Sequence, residues 1–225
     1  TVDSMMVSNV SEAAISAVSL VDSINILVIQ AFYALASGGA IVCANYLGQK
    51  RRDQAERSAN QLLFIIFAIS LAVLAVCQLF RAPLLRLVFG SVEQEVMDAA
   101  MVYFFYTSLS FPFIALFDSG SAVFRAQNNS RLPMAITAST HLMNIAGNAL
   151  LIWGFHLGVA GAAVSTLLSR IAAALLVLLF LRRKSGELRI VNFIFLKPDG
   201  RLIKNILRIG IPSGVENGMF QFGKL

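Results

Sequence analysis

The chain has 225 residues, of which 57% are hydrophobic and 13% charged, and it carries a formal net charge of +6. A soluble domain carries about 25% charged residues, so a water-exposed globule made from this sequence would lack polar faces for its helices. The basic balance does not make it a nucleic-acid binder, because its Lys and Arg sit at the ends of apolar segments without interleaved aromatics, as membrane insertion by itself requires.

A membrane-spanning helix needs about 20 mostly apolar residues. In chain order the sequence predicts six spans, the first incomplete, at 1–10, 14–47, 57–80, 96–124, 132–153 and 159–181, with a seventh starting near Ile209. The chain opens on Thr1 inside an apolar piece and closes soon after a new apolar pattern starts, which reads as a chain cut at both ends. Residues 23–49, 58–80 and 99–117 contain no Asp, Glu, Lys or Arg. Cys43 and Cys77 fall inside apolar segments and read as small hydrophobes.

Two connections are legible in detail. The stretch 121–134, SAVFRAQNNSRLPM, is a turn bracketed by Arg125 and Arg131, with Pro133 suited to the first turn of the next helix. Residues 132–169 are uncharged, and as one helix they would be about 57 Å long against a hydrocarbon core of about 30 Å. The chain must therefore fold back, and WGFHLGVAGA at 153–162, with Gly154, Gly158 and Gly161, is the natural break.

Fourteen of the eighteen Lys and Arg lie in the connections at 50–57, 125–131 and 182–208, whereas the opposite connections hold Arg81 and Arg86 beside Glu93, Glu95 and Asp98. Positively charged loops stay inside, so the basic loops are expected to be cytoplasmic and the protein to reside in the cell membrane. Residues 185–208 form the longest polar connection, with a Lys-Pro-Asp-Gly turn and the amphipathic RLIKNILR. The expected organisation is a six-helix transmembrane lobe at 1–181, a cytoplasmic linker at 182–208 and the start of a second lobe at 209–225.

FRAQNNSRLPM, followed by NIAGNALLIWGFHLGVAGAAVSTLLSR and preceded at the N-terminus by TVDSMM, resembles the multidrug and toxic compound extrusion (MATE) family. The resemblance implies an all-α membrane protein with two six-helix lobes, of which this chain holds the N-terminal one and the start of a seventh span. The missing C-terminal lobe of the same chain would be its partner.

An ionisable group inside a span is costly and marks a candidate site. Asp3 is such a group, and the resemblance implies that it couples transport to a cation, a proton or a sodium ion sharing its oxygens. His141, Asn144 and Asn148, at i, i+3 and i+7, form a polar stripe on one helix face. Interhelical hydrogen bonding is the plain reading of such a stripe, and the preferred one for His141. The resemblance implies that Asn144 and Asn148 lie near the cation site, although some members carry aspartate where this chain has Asn148, and that Thr166 adds a hydroxyl. Glu216 follows Ile211-Pro212, about one turn before the position of a functional glutamate in many members.

Gln30, Tyr33, Tyr103 and Tyr106 read as residues lining a cavity for flat organic cations or as ordinary packing. His141 and Glu216 are further cavity candidates. Arg170 reads as a snorkelling or paired residue, and Asp118 as close enough to the cytoplasmic end of its span to be hydrated. The sequence has no G-x-x-x-x-G-K loop and no His-Glu-x-x-His or Cys-x-x-Cys spacing, so ATP coupling, a cofactor and enzymatic chemistry are not expected. The expected function is a secondary antiporter in the lipid bilayer, exporting small organic, often cationic, compounds in exchange for protons or sodium. The alternatives are a lipid-linked oligosaccharide flippase, which would carry more basic residues in its cavity, and a non-transporting scaffold or half-transporter.

Overall fold

The computed structural model describes residues 2–7, 11–90, 92–183, 188 and 199–222, with backbone alone for Val2 and for 213–222. Regular structure among these residues is helical throughout: α1 (Val2–Val7), α2 (Glu12–Gly48), α3 (Arg52–Leu79), α4 (Arg81–Phe89), α5 (Gln94–Leu109), α6 (Phe111–Ala126), α7 (Arg131–Asn148), a π-helical segment (Ala149–Gly154), α8 (Gly158–Arg182) and α9 (Gly200–Phe222). Three of them, α2, α3 and α8, are long and apolar enough to cross a membrane, and the bent pair α5–α6 is so too when taken as one span. The polar stripe on α7 lowers its apolarity below theirs. At about 1.5 Å per residue, the 37 residues of α2 reach well beyond the hydrocarbon on at least one side.

Local chemistry sets the helix ends. Ser11 caps α2, its extended backbone letting Oγ accept from the Ala14 N–H at 3.0 Å. At the other end of the lobe α6 closes in a Schellman turn: the Asn129 N–H bonds the Phe124 carbonyl at 3.0 Å, the Asn128 N–H bonds that of Arg125 at 3.0 Å, and Asn128 takes φ 58°. Arg131 then opens α7 with Pro133 in its first turn. This is the turn expected between Arg125 and Arg131. The fold-back expected at 153–162 is equally clear. The π-helical segment ends at Gly154, Gly158 adopts φ 54°, and a Cβ on Gly161 would lie 3.0 Å from the Leu151 carbonyl carbon, so the two arms pack closely there.

Three features depart from the expected spans. The span expected at 96–124 is two helices bent by 42° at Ser110. Pro112 has no N–H to give to the Ser108 carbonyl and its ring crowds that group, so a straight helix cannot pass. Gln78 on α3 supports the break by donating to the Phe105 carbonyl at 3.1 Å and to Ser108 Oγ at 3.0 Å. A short helix, α4, follows α3 with Leu85 buried and Leu87 and Val88 exposed, where the sequence reading placed a plain connection. The amphipathic RLIKNILR and the expected seventh span share one helix, α9, because nothing between Gly200 and Pro212 interrupts the helical pattern.

The core lies where α2, α3, α5, α6 and α8 meet, around Phe32, Leu62, Phe104, Phe111 and Val177. The Phe32 and Phe111 rings pack edge to face with centroids 6.3 Å apart. Cys43 and Cys77 are free thiols within this packing. Small residues bring helices close: a Cβ on Gly38 of α2 would lie 2.5 Å from the backbone N of Gly210 on α9, and one on Gly147 of α7 would lie 2.5 Å from Ser165 Oγ on α8.

Candidate functional site

Asp3 sits on α1, buried against α2, α5, α7 and α8. Its carboxylate accepts three side-chain hydrogen bonds: from Asn148 Nδ2 to Oδ1 at 2.7 Å, from Thr166 Oγ1 to Oδ2 at 2.7 Å and from the Tyr103 hydroxyl to Oδ2 at 3.0 Å. Asn144 Nδ2 donates in turn to Thr166 Oγ1 at 3.1 Å, and Ser165 Oγ donates to the Asn144 carbonyl at 3.0 Å. The close approach of Gly147 to Ser165 sets α7 and α8 at the distance these bonds need. Three helices remote in sequence thus converge on one acid of a fourth, which is how a bundle keeps a polar group solvated without water.

A second carboxylate completes the group. Asp22 on α2 lies on the other side of Tyr103, whose hydroxyl is 3.2 Å from Asp22 Oδ1. A phenol has one proton, so it fills one of the two approaches at a time. Asn148 is fully buried, and with its amide nitrogen turned to Asp3 its Oδ1 has no hydrogen-bond partner among the described residues.

Beside this network is a cavity of about 330 Å³, lined by Asp3; by Asp22, Asn25, Ile26 and Ile29 of α2; by Ile114 and Phe117 of α6; by Thr137, Thr140, His141 and Asn144 of α7; and by Thr166, Ser169, Arg170 and Ala173 of α8. The amide of Asn25 and the hydroxyl of Ser169 are buried without partners among the described residues. No group of three or more His, Cys, Asp or Glu is gathered to hold a metal ion among the described residues.

Of the residues singled out in the sequence, Asp3, Asn144, Asn148 and Thr166 are brought together. His141 lines the cavity and makes no hydrogen bond among the described residues. Gln30 and Tyr33 stand outside the cavity lining, and the Tyr33 ring instead receives the Arg125 guanidinium, 5.2 Å from its centroid. The Glu216 side chain lies outside the described residues. Arg170 does not snorkel: its Nη1 donates to Ser110 Oγ at 2.7 Å, at the break between α5 and α6. Asp118 is buried rather than hydrated, enclosed within the core of α6.

The sequence reading missed Asp22 and the carboxylate-bridging role of Tyr103. A helical period was the available signal: Asp22, Asn25, Ile26 and Ile29 stand at i, i+3, i+4 and i+7, and all four line the cavity.

The hydroxyl of Thr166 gives the site its most direct stability test. Thr166→Val keeps the shape but removes the donor to Asp3 and the acceptor of Asn144, and is expected to cost about 1–2 kcal/mol. The loss would appear as a lowered melting temperature in detergent, and an unchanged one would show that the hydroxyl does not hold the carboxylate.

Known proteins share this architecture. The chain is 29% identical over 231 residues to the probable multidrug resistance protein NorM of Thermotoga maritima, covering 99% of this chain and 48% of that protein. It is 28% identical over 227 residues to the uncharacterized transporter YisQ of Bacillus subtilis, covering 99% of this chain and 49% of that protein. A crystal structure of a MATE protein in the bent conformation superposes with a TM-score of 0.90 at 22% identity, over 96% of this chain and 48% of the other. An inward-facing multidrug resistance MATE family transporter superposes with a TM-score of 0.88 at 22% identity, over 95% and 48%. The chain spans about half the length of the relatives it matches. With the MatE family model matching residues 1–150, a stretch that holds Asp3, Tyr103, Asn144 and Asn148 though not Thr166, the chain belongs to the MatE family.

Proposed function

We propose that this chain is one lobe of a two-lobe secondary antiporter of the cell membrane, with its basic loops cytoplasmic, that exports small organic compounds as protons or sodium ions enter. Relatives twice as long support a second lobe, and the cavity beside Asp3 supports a substrate path that closes and opens as the lobes rock.

The observation that carries the reading is the Tyr103 bridge. One phenolic proton stands between two carboxylates at 3.0 and 3.2 Å, so the group gains when a further proton joins a carboxyl or when a cation settles among the oxygens. Asp3, Thr166 and the Oδ1 of Asn148, which has no partner among the described residues, offer the oxygen ligands that a hard cation takes. Cation entry would exchange hydrogen bonds across α1, α5, α7 and α8, which gives the entering ion unequal affinity for two packings and so a means to bias them.

The lipid-linked oligosaccharide flippase has one observation in its favour, the guanidinium of Arg170 in the cavity, but Asp3 and Asp22 in the same space would repel a pyrophosphate. The test is efflux from vesicles holding the full two-lobe protein, under a proton gradient, a sodium gradient or neither. Substrate movement that follows one imposed gradient is the expected result. Movement indifferent to both, or of lipid-linked sugar alone, would overturn the reading.

A further inference from the structure

The guanidinium of Arg170 has no part in cation coupling as described above, and a charge inside the cavity wall needs a use. Arg170 stands on α8 one turn after Thr166, and the carboxylates acting on it electrostatically are those of Asp3, Asp22 and Asp118. Yet the hydrogen bond its guanidinium makes among the described residues goes to a neutral hydroxyl, Ser110 Oγ. Arginine has five N–H donors in a planar fork, so this bond leaves further donors at the cavity wall. Asp22 and the amide of Asn25, which has no partner among the described residues, share that wall, and the apolar Ile114 and Phe117 form another part of it.

We infer that the cavity selects zwitterionic amphiphiles, pairing the anionic group of the substrate with Arg170 and its cationic group with Asp22. The inference rests on the reading of this cavity as the substrate path. Its physical basis is the low dielectric of a bundle interior, where like charges repel strongly. A substrate carrying only positive charge can pair with Asp22 but leaves the guanidinium of Arg170 without a counter-charge, and one carrying only negative charge can pair with Arg170 but faces Asp3 and Asp22. A molecule carrying both signs meets an opposite charge at each end, and its ring system packs on Ile114 and Phe117. A carboxylate suits Arg170 because the guanidinium fork matches its two oxygens.

Rhodamine B and rhodamine B ethyl ester share one ring system, and esterification removes the carboxylate. Fluorescence anisotropy of each dye with the purified full two-lobe protein measures binding without any gradient. The unmodified protein is expected to bind rhodamine B more tightly than the ester, and equal or tighter binding of the ester overturns the inference whatever the variants do. Arg170→Gln is expected to weaken rhodamine B by about 10–100-fold, the worth of a charge-assisted pair, and to leave the ester unchanged or tighter. Arg170→Lys, which keeps the charge and loses the fork, should weaken rhodamine B several-fold and spare the ester. It serves if the Gln variant does not fold, as judged by size-exclusion chromatography. A variant that shifts both dyes by the same factor, or the ester alone, shows that Arg170 is only a counter-charge and overturns the inference. If the expected preference appears but no gradient moves either dye, the antiport reading fails while this one stands.

Discussion

Replacing Asp3 with Asn is expected to abolish gradient-driven efflux by the full two-lobe protein while leaving it folded. The side chain keeps its shape but loses the charge proposed to hold a coupling ion, and its amide presents hydrogens to Asn148 and Thr166, which already donate there. Loss of one charge-assisted ligand lowers cation affinity by about 10–100-fold, and efflux should fall to the passive leak at physiological ion levels. Substrate exchange without a gradient should persist, because the cavity keeps its apolar wall. Coupled efflux at the unmodified rate would remove Asp3 from the mechanism. Loss of both exchange and coupled efflux, with the protein still monodisperse, would mean that the carboxylate serves the cavity rather than the ion.

The second large effect is structural. Gly38→Ala adds a methyl group 2.5 Å from the backbone N of Gly210 and 2.6 Å from its Cα. The obstacle is backbone, which cannot turn aside as a side chain can, so α2 and α9 must separate. Overpacking of this kind costs about 1–3 kcal/mol, outweighing the gain of up to about 1 kcal/mol when Ala replaces a helical Gly. Gly48→Ala is the control, since a Cβ there meets nothing within 4 Å. Thermal unfolding in detergent should show Gly38→Ala lowered and Gly48→Ala unchanged or raised. Equal melting temperatures would mean that α9 does not press on α2 in solution.

The sequence was most readable where one physical demand dominates. Hydrocarbon thickness required a break between 132 and 169, and it falls at Gly154 to Gly158. The Arg125–Arg131 turn was equally open to reading, as was the apolar length of α2, α3 and α8. The break at Ser110 was less visible, since a span containing Pro112 can bend without ending. At the site, Asp3 and the α7 stripe stood out because polar groups are conspicuous in an apolar run. Asp22 did not, for it immediately precedes the uncharged stretch that begins at Ser23. The approach of Asp22 and Asp3 to one phenol joins residues on three helices, and no local pattern records such a meeting. The place of Arg170 was hidden for a related reason: whether a mid-span arginine reaches outward or inward depends on Ser110, which stands sixty positions earlier.

The bend at Ser110 has a mechanical result. Since Pro112 never offers the bond that would staple the two halves of that span together, the halves can tilt about this joint without tearing any ladder of amides. Arg170 grips the joint from α8 and Gln78 steadies it from α3. Arg170 lines the cavity and also holds Ser110, so the cavity wall and the angle of the span answer to one side chain.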